Sequence, residues 1–270
     1  MSLFISSLNS GSNGNAYYVG NGREALLIDA GISCREIEKR MKRSGLEMNK
    51  LKAIFVSHEH IDHISGIATM VKKYKLPVYI TSRTYLSSGM SIPREFHYSF
   101  KAHQPIEIGN LKIMAFPKNH DAIDPHSFIV TSNGVSVGIF TDIGNPCKNL
   151  IKYFGQCHAA FLETNYDEEM LENGSYPPHL KARIRSDEGH LSNKQAFELF
   201  MKHKPSFMKL VLLSHLSAEN NRPGIAKSMF KSALHGVDIK MTHRDKETAV
   251  YFVNSQETVS RKNAPQLSLF

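Results

Sequence analysis

Cysteine is scarce in this chain of 270 residues: there are three, Cys34, Cys147 and Cys157. An odd number with no C-x-x-C pair argues against a disulfide framework and favours a reducing, cytosolic setting. Long apolar runs are also missing. None approaches the ~18 consecutive residues of a membrane-spanning helix, so no membrane partner is expected. The opening stretch "MSLFISSLNSGSNGN" has no basic segment, and its apolar run is too short for a signal peptide. No internal repeat and no Pro/Gly-rich linker divides the chain. These absences predict a cytoplasmic protein organised as one unit.

What is present fits that frame. Apolar content of 41% with 21% charged residues is that of an ordinary globular protein, and the length is enough to bury a sizeable core. The formal charge of +8 and pI near 9.3 favour anionic partners such as nucleic acid or phosphorylated substrates. A merely solvated basic surface would give the same balance. The fourteen histidines carry more information, because several stand beside carboxylates and at the ends of apolar runs.

Short β-type runs dominate the first half: "LFISSL", "NAYYVG", "EALLIDA", "AIFVSH", "PVYIT", "LKIMAF" and "SFIVTSNGVSVGIFTD". Asn133-Gly134, between two alternating runs, predicts a hairpin, since both residues tolerate positive φ. Helical patterns cover Ser33 to Ser44, Gly66 to Tyr74, Asn145 to Phe154, Ser192 to His203 and Ala218 to Leu234. The strands "FMKLVLLSH", "DIKMTH" and "TAVYFV" complete the second half. Interleaving of this kind predicts a layered α/β architecture. After Val253 the segment "NSQETVSRKNAP" is polar and aperiodic and reads as a flexible tail, closed by the apolar "QLSLF".

Chemistry concentrates in "SHEHIDHISG", Ser57 to Gly66. In extended backbone, residues i and i+2 point the same way, so His58 and His60 can share one ion. A bend into a helix near Ser65 would turn Asp62 and His63 toward a second. Imidazole and carboxylate donors suit zinc, and also manganese or iron. Further donors are expected at other strand ends: His120 after "KIMAFPKN", Asp142 after "VGIFT" and His215 after "LVLLS". Asp142 has the chemistry to bridge two ions. His126 is the rival to His120 but stands at the start of the next run. Asp29, closing "ALLI", is expected to orient a ligand through hydrogen bonds.

The ordered motifs "ALLIDAG", "SHEHIDH", "NHDA", "IFTDIG" and "LLSHLS" resemble those of the metallo-β-lactamase superfamily over nearly the whole chain to Val253. That resemblance implies an αββα four-layer sandwich, residues 1–253, with a dinuclear metal site along one edge. It implies that His58, His60 and His120 hold one ion, that Asp62, His63 and His215 hold the other, and that Asp142 bridges them. "SGSNGN", "NHDAIDP", "GHLSN" and "SHLSAENNRP" are similar to the YycJ/WalJ branch, which implies a DNA-directed nuclease.

On that reading Asp62 orients the nucleophile and His190 protonates the leaving oxygen, unless His190 is only the neighbour of a helix cap. Ser12, Asn13 and Asn15 in the small-residue loop, with Arg183, Arg185 and Ser192, are candidate substrate contacts. Gln266, Leu267, Leu269 and Phe270, in the tail 254–270, resemble the peptide by which bacterial DNA-processing proteins dock on the replication sliding clamp. The expected activity is a dinuclear-metal phosphodiesterase, a DNA exonuclease linked to replication or repair, with DNA preferred over RNA. The alternatives are a small-molecule hydrolase acting on a cyclic phosphate, thioester or lactone, and a non-catalytic clamp- or nucleic-acid-binding module.

Overall fold

Runs such as Ala25–Ile28, Ala159–Glu163 and Leu210–Ser214 are buried at every position, so their sheets have to be covered on both faces. The computed structural model describes residues 2–231 and 236–255, together with the backbone of 258–260. In chain order its strands are β1 (Leu3–Asn9), β2 (Ala16–Gly20), β3 (Ala25–Ile28), β4 (Leu51–Phe55), β5 (Val78–Tyr79), β6 (His97–Tyr98), β7 (Pro105–Ile108) and β8 (Leu111–Pro117). They continue with β9 (His126–Ser132), β10 (Val135–Phe140), β11 (Ala159–Glu163), β12 (Leu210–Ser214), β13 (Asp238–Met241), β14 (Tyr251–Val253) and β15 (Thr258–Ser260). The helices are α1 (Cys34–Arg43), α2 (Ile61–Ile64), α3 (Ile67–Tyr74), α4 (Ser82–Ser88), α5 (Lys148–Phe154), α6 (Glu168–Asn173), α7 (Pro178–Arg185), α8 (Asn193–His203) and α9 (Pro223–Lys231).

The strands form two sheets, ordered β15-β14-β1-β2-β3-β4-β5-β6 and β13-β12-β11-β10-β9-β8-β7. Between them lies a core that includes Phe55, Phe128, Phe161 and Tyr17. A second core, with Phe140, Phe154, Phe200 and Phe230, packs α5, α8 and α9 on the outer face of the seven-stranded sheet. A third, with Ile37, Met41, Ile67 and Met70, packs α1 and α3 on the outer face of the eight-stranded sheet. This is the four-layer α/β sandwich expected. No helix among the described residues is long and apolar enough to cross a membrane.

Local chemistry sets most of the boundaries. Ser33 caps α1 by accepting from the Glu36 amide, and Ser192 caps α8 in a reciprocal box with Gln195. The β9–β10 hairpin turns at Asn133 (φ 48°) and Gly134 (φ 80°), with Ser132 opposite Val135. Three expectations need correction. The last helix starts at Pro223, not Ala218, because Asn221 instead donates to the carbonyls of Thr164 and Asn165. The helix expected from Asn145 starts at Lys148. The segment from Asn254, expected to be featureless, carries β15, antiparallel to β14. The tail peptide, Gln266 to Phe270, lies outside the described residues.

The strand directions place the site. β3 runs parallel to β4 in one sheet, and β10, β11, β12 and β13 are mutually parallel in the other. Their C-terminal ends supply Asp29, His58, Asp142, Glu163 and His215, the position where α/β sheets build binding sites.

Candidate metal centre

Gly31 begins the assembly. A β-carbon there would lie 1.6 Å from the Asp62 carbonyl oxygen, so only glycine lets the histidine loop close onto the end of β3. The Asn15 amide donates to that same carbonyl at 2.7 Å. The short α2, opening directly at Ile61, turns Asp62 and His63 inward; the expected bend near Ser65 comes four residues too late.

Two donor groups match the expected sets, His58 with His60 and His120, and Asp62 with His63 and His215, the donor atoms of each within 4.8 Å of one another; His58 with His63 and Asp142, and Asp142 with Glu163, His190 and His215, converge as closely. Asp142 stands between the first two. Its Oδ1 is 3.9 Å from His120 Nε2 and 3.4 Å from His215 Nε2, and its Oδ2 is 3.3 Å from His63 Nε2. His126 is in neither group; its Nδ1 faces the Asp124 carbonyl.

The imidazoles are aimed from behind. Asp29 Oδ2 lies 2.8 Å from His63 Nδ1, while Asp29 also accepts from the Ser57 amide and hydroxyl, each at 2.8 Å. The Gly189 carbonyl faces His120 Nδ1 at 3.1 Å, and Ser57 Oγ faces His58 Nδ1 at 2.8 Å. His215 Nδ1 is 2.9 Å from Glu163 Oε1. With Nδ1–H used in this way, the Nε2 lone pairs are left for the centre. Among the described residues, His120 Nε2, His215 Nε2 and Asp142 Oδ2 are buried with no hydrogen-bond partner. Orphaned imidazole and carboxylate donors converging from several strands fit divalent cations.

The electrostatics agree. Burial disfavours ionisation of Asp142, yet His215 and His63 outweigh it and hold the carboxyl well below its usual range. Burial also opposes a charge on His63, but Asp142 and Asp29 hold it well above the ordinary histidine value. Burial pushes His58 well down, and His120 to about 3. The protein thus stabilises a positive charge between Asp142 and Asp29, where bound metal would displace a proton.

Glu163, which the sequence reading passed over, is fully buried at the end of β11. Its Oε1 contacts both His190 Nδ1, at 2.8 Å, and His215 Nδ1, while Oε2 accepts from the Ile143 amide at 2.7 Å. The signal was the one that found His215, an acid closing an apolar run, but "AAFLE" had not been read as a strand. Burial would raise Glu163, whereas His190 and His215 draw it down to about 2. Glu163 in turn overcomes burial at His190 and raises that imidazole. Lys118 was missed as well: it is buried, its Nζ donating to the Thr141 carbonyl at 2.7 Å.

The other expected site residues separate. Asn15 is buried, with Nδ2 3.2 Å from Asp62 Oδ2 and 3.0 Å from His63 Nε2, so it belongs to the centre itself. Ser12 and Asn13 are exposed on the loop before it. Ser192 is buried, its hydroxyl donating to Glu168 and accepting from the Gln195 amide in the cap of α8. Arg183 is paired with Asp121 and Arg185 with Glu172. Arg185 lines a groove of about 690 Å³ with Glu168, Glu169 and Glu172, a wall that repels phosphate. Glu59 turns away, as its alternating position requires, and accepts from the Ile123 amide.

Fold and donor set together define a metal-dependent hydrolase with a divalent-metal site at one sheet edge. Residues 24–215 match the model of the beta-lactamase superfamily domain, and the chain belongs to that superfamily. It is 33% identical over 237 residues to the exodeoxyribonuclease YycJ of Bacillus anthracis, covering 87% of this chain and 90% of that one. It is 31% identical over 253 residues to the exodeoxyribonuclease WalJ of Streptococcus pneumoniae serotype 2, covering 90% and 94%. The fold also matches the crystal structure of the metallo-beta-lactamase fold protein YhfI from Bacillus subtilis, with TM-score 0.71, 16% identity and coverage of 91% and 99%.

Proposed function

We propose that this chain is a DNA exonuclease dependent on two divalent metal ions and acting in the cytoplasm alongside replication or repair. The observation that carries the reading is the pair of three-donor groups flanking Asp142, in which His120 Nε2 and His215 Nε2 are buried with no hydrogen-bond partner among the described residues. The polynucleotide substrate is supported by the exodeoxyribonuclease names of the relatives that match most of the chain. DNA is favoured over RNA on the same ground.

His58, His60 and His120 would hold one ion, and Asp62, His63 and His215 the other, with Asp142 shared. Zinc is the first expectation, with manganese or iron accepted by the same donors. What a bound pair supplies is an activated water near neutral pH and neutralisation of charge on the phosphodiester. Asp62 is fixed by Asn15 through Oδ2, and its other oxygen would orient that water. His190 keeps Nδ1–H on Glu163 and delivers the Nε2 proton to the leaving oxygen. Residues 1–253 would form the hydrolase and 254–270 the tail, whose residues after β15 would tether Gln266, Leu267, Leu269 and Phe270 to the sliding clamp.

The test is degradation of end-labelled single- and double-stranded DNA with zinc or manganese, beside His60→Ala and Asp62→Ala. Metal-dependent shortening by the parent and its loss in both variants are expected. Turnover of a small phosphodiester with intact DNA would sink the reading. Deleting residues 266–270 should abolish clamp binding and spare hydrolysis.

A further inference from the structure

The loop Ser10–Asn15 and the segment after β13 meet beside the metal centre, and a cation sits at their junction. Ser10 donates its amide to the His243 carbonyl, and the Ser10 hydroxyl accepts from the His215 amide at 2.8 Å. Asn13 Nδ2 donates to the Arg244 carbonyl at 2.8 Å. Arg244, half-buried, sends Nη1 back to Ser12 Oγ and to the Leu216 carbonyl, both at 3.2 Å. Its guanidinium therefore reaches the residue that follows His215 on one side and, on the other, the loop that carries Asn15, which touches Asp62.

Two features suit this arginine to a ligand. Arg40, Arg43, Arg183 and Arg185 are each paired with a carboxylate, whereas Arg244 has none within ion-pair distance among the described residues. Only its Nη1 is used among the described residues, so Nε and Nη2 remain to donate. Its seat is also specific. Gly11 has φ 141°, and a β-carbon there would lie 2.8 Å from Arg244 Nη1 and 3.0 Å from its Cγ, so glycine lets the guanidinium lie against the loop. The amides of Ser12 and Asn13, in the same turn, donate to no other group among the described residues. A planar, unneutralised fork beside two free amides is a receptor for a tetrahedral oxyanion.

We propose that Arg244, with the Ser12 and Asn13 amides, forms a phosphate subsite that grips the nucleic-acid backbone one step from the scissile bond. This assignment rests on the nuclease reading for its ligand. It gives the Ser12 and Asn13 loop the cation it needs, and explains why Arg183 and Arg185, already neutralised, are not required for that contact.

The test uses metal-loaded full-length protein and a short phosphorothioate-protected, fluorescein-labelled single strand, titrated by anisotropy at several salt concentrations, beside Arg244→Gln and Arg244→Lys. Arg244→Gln should bind about tenfold more weakly at low salt, with a log–log salt slope shallower by about 0.7, the share of one phosphate contact to a single strand. Arg244→Lys should keep the slope, since it keeps the charge. In degradation assays Arg244→Gln should raise KM and leave kcat within about twofold. An unchanged salt slope in Arg244→Gln, or a loss of bound metal that accounts for its weakness, overturns the subsite. A slope change with no DNA degradation by the parent would keep the subsite and remove the exonuclease. Degradation by the parent with unaltered slope in the variant would do the reverse.

Discussion

Glu163→Gln is the most demanding perturbation of this centre, because it changes no volume and only one charge. The wild-type carboxylate meets donors on both oxygens: the Nδ1 atoms of His190 and His215 at Oε1, and the Ile143 and Leu191 amides at Oε2. Glutamine has one acceptor oxygen, so one side must face an NH2. If that side is the main chain, buried donors oppose each other, at a cost of about 1–3 kcal/mol. If it is the histidines, His215 must take the Nε2–H tautomer and surrender the lone pair that faces Asp142. Loss of such an orienting partner lowers metal affinity by about 10–100-fold, or about 1.4–2.7 kcal/mol.

Two pH signatures accompany the substitution. Burial would raise Glu163, but His190 and His215 hold its folded value at about 2, below the ~4.3 of an unfolded glutamate. Its stabilisation is therefore complete above the unfolded value and is lost as pH falls toward 2. Removing the carboxylate should flatten the stability curve across that window. His190 is raised because Glu163 outweighs its burial, so the variant's imidazole gives up its proton at lower pH. If His190 is the proton donor, the alkaline limb of kcat moves to lower pH. The assays are metal competition with a chromophoric chelator, denaturant unfolding from acid to neutral pH, and a pH–rate profile. Metal affinity within twofold of wild type, with both pH curves unmoved, would refute the reasoning.

Away from the centre, Glu38 joins α1 to α3 by accepting from Lys73 Nζ at 2.7 Å, Tyr74 Oη at 2.8 Å and Cys34 Sγ at 3.1 Å, and its carboxyl is lowered to about 2. Solvent screening of the exposed Lys73 keeps the expected cost of Glu38→Gln near ~1 kcal/mol at neutral pH. The folded value is depressed, so urea unfolding should show that difference shrinking from pH ~4 downward; a constant difference would count against it. Gly134→Ala meets no atom within 4 Å and suffers only from φ 80°, an expected loss of about 1 kcal/mol. The hairpin tip is at the far end of β10 from Asp142, so melting temperature should fall while DNA degradation is unchanged; reduced activity at equal folded fraction would contradict that placement.

The legible parts of this protein share a property: each was written in consecutive residues. His58, His60 and His63 stand in six positions, and His120, Asp142 and His215 each follow an apolar run that ends at the same sheet edge. The hairpin announced itself as Asn-Gly. What escaped was written across the chain. β11 is AAFLE, with no β-branched residue to mark a strand, so it escaped and Glu163 with it. α7 buries no residue and carries no apolar stripe to detect. Ser192 looked available for substrate because its partner, Glu168, lies far back in sequence. Arg183 and Arg185 looked available for the same reason, their carboxylates being contributed by Asp121 and Glu172.

Backbone conformation makes the same division inside the site. Asp29, Asp142 and His215 adopt φ of 60°, 56° and 57°, the left-handed region that costs a non-glycine residue about 1 kcal/mol or more. Nothing adjacent in sequence requires it. At Asp29 the conformation is offset by Ser57 and His63, which give its carboxylate three hydrogen bonds. At His215 it is offset by the Ser10 hydroxyl on the amide and by Asn165 Nδ2 on the carbonyl at 2.9 Å. Asp29 draws its partners from the segment after β4, in its own sheet, but Ser10 reaches His215 from the opposite sheet, so His215 cannot be held in full before the two sheets have closed. The donors are encoded locally, but their aim is a product of the sandwich. Local unfolding at the sheet edge should therefore release the centre as one unit, because each strained donor is held by a partner from a different strand.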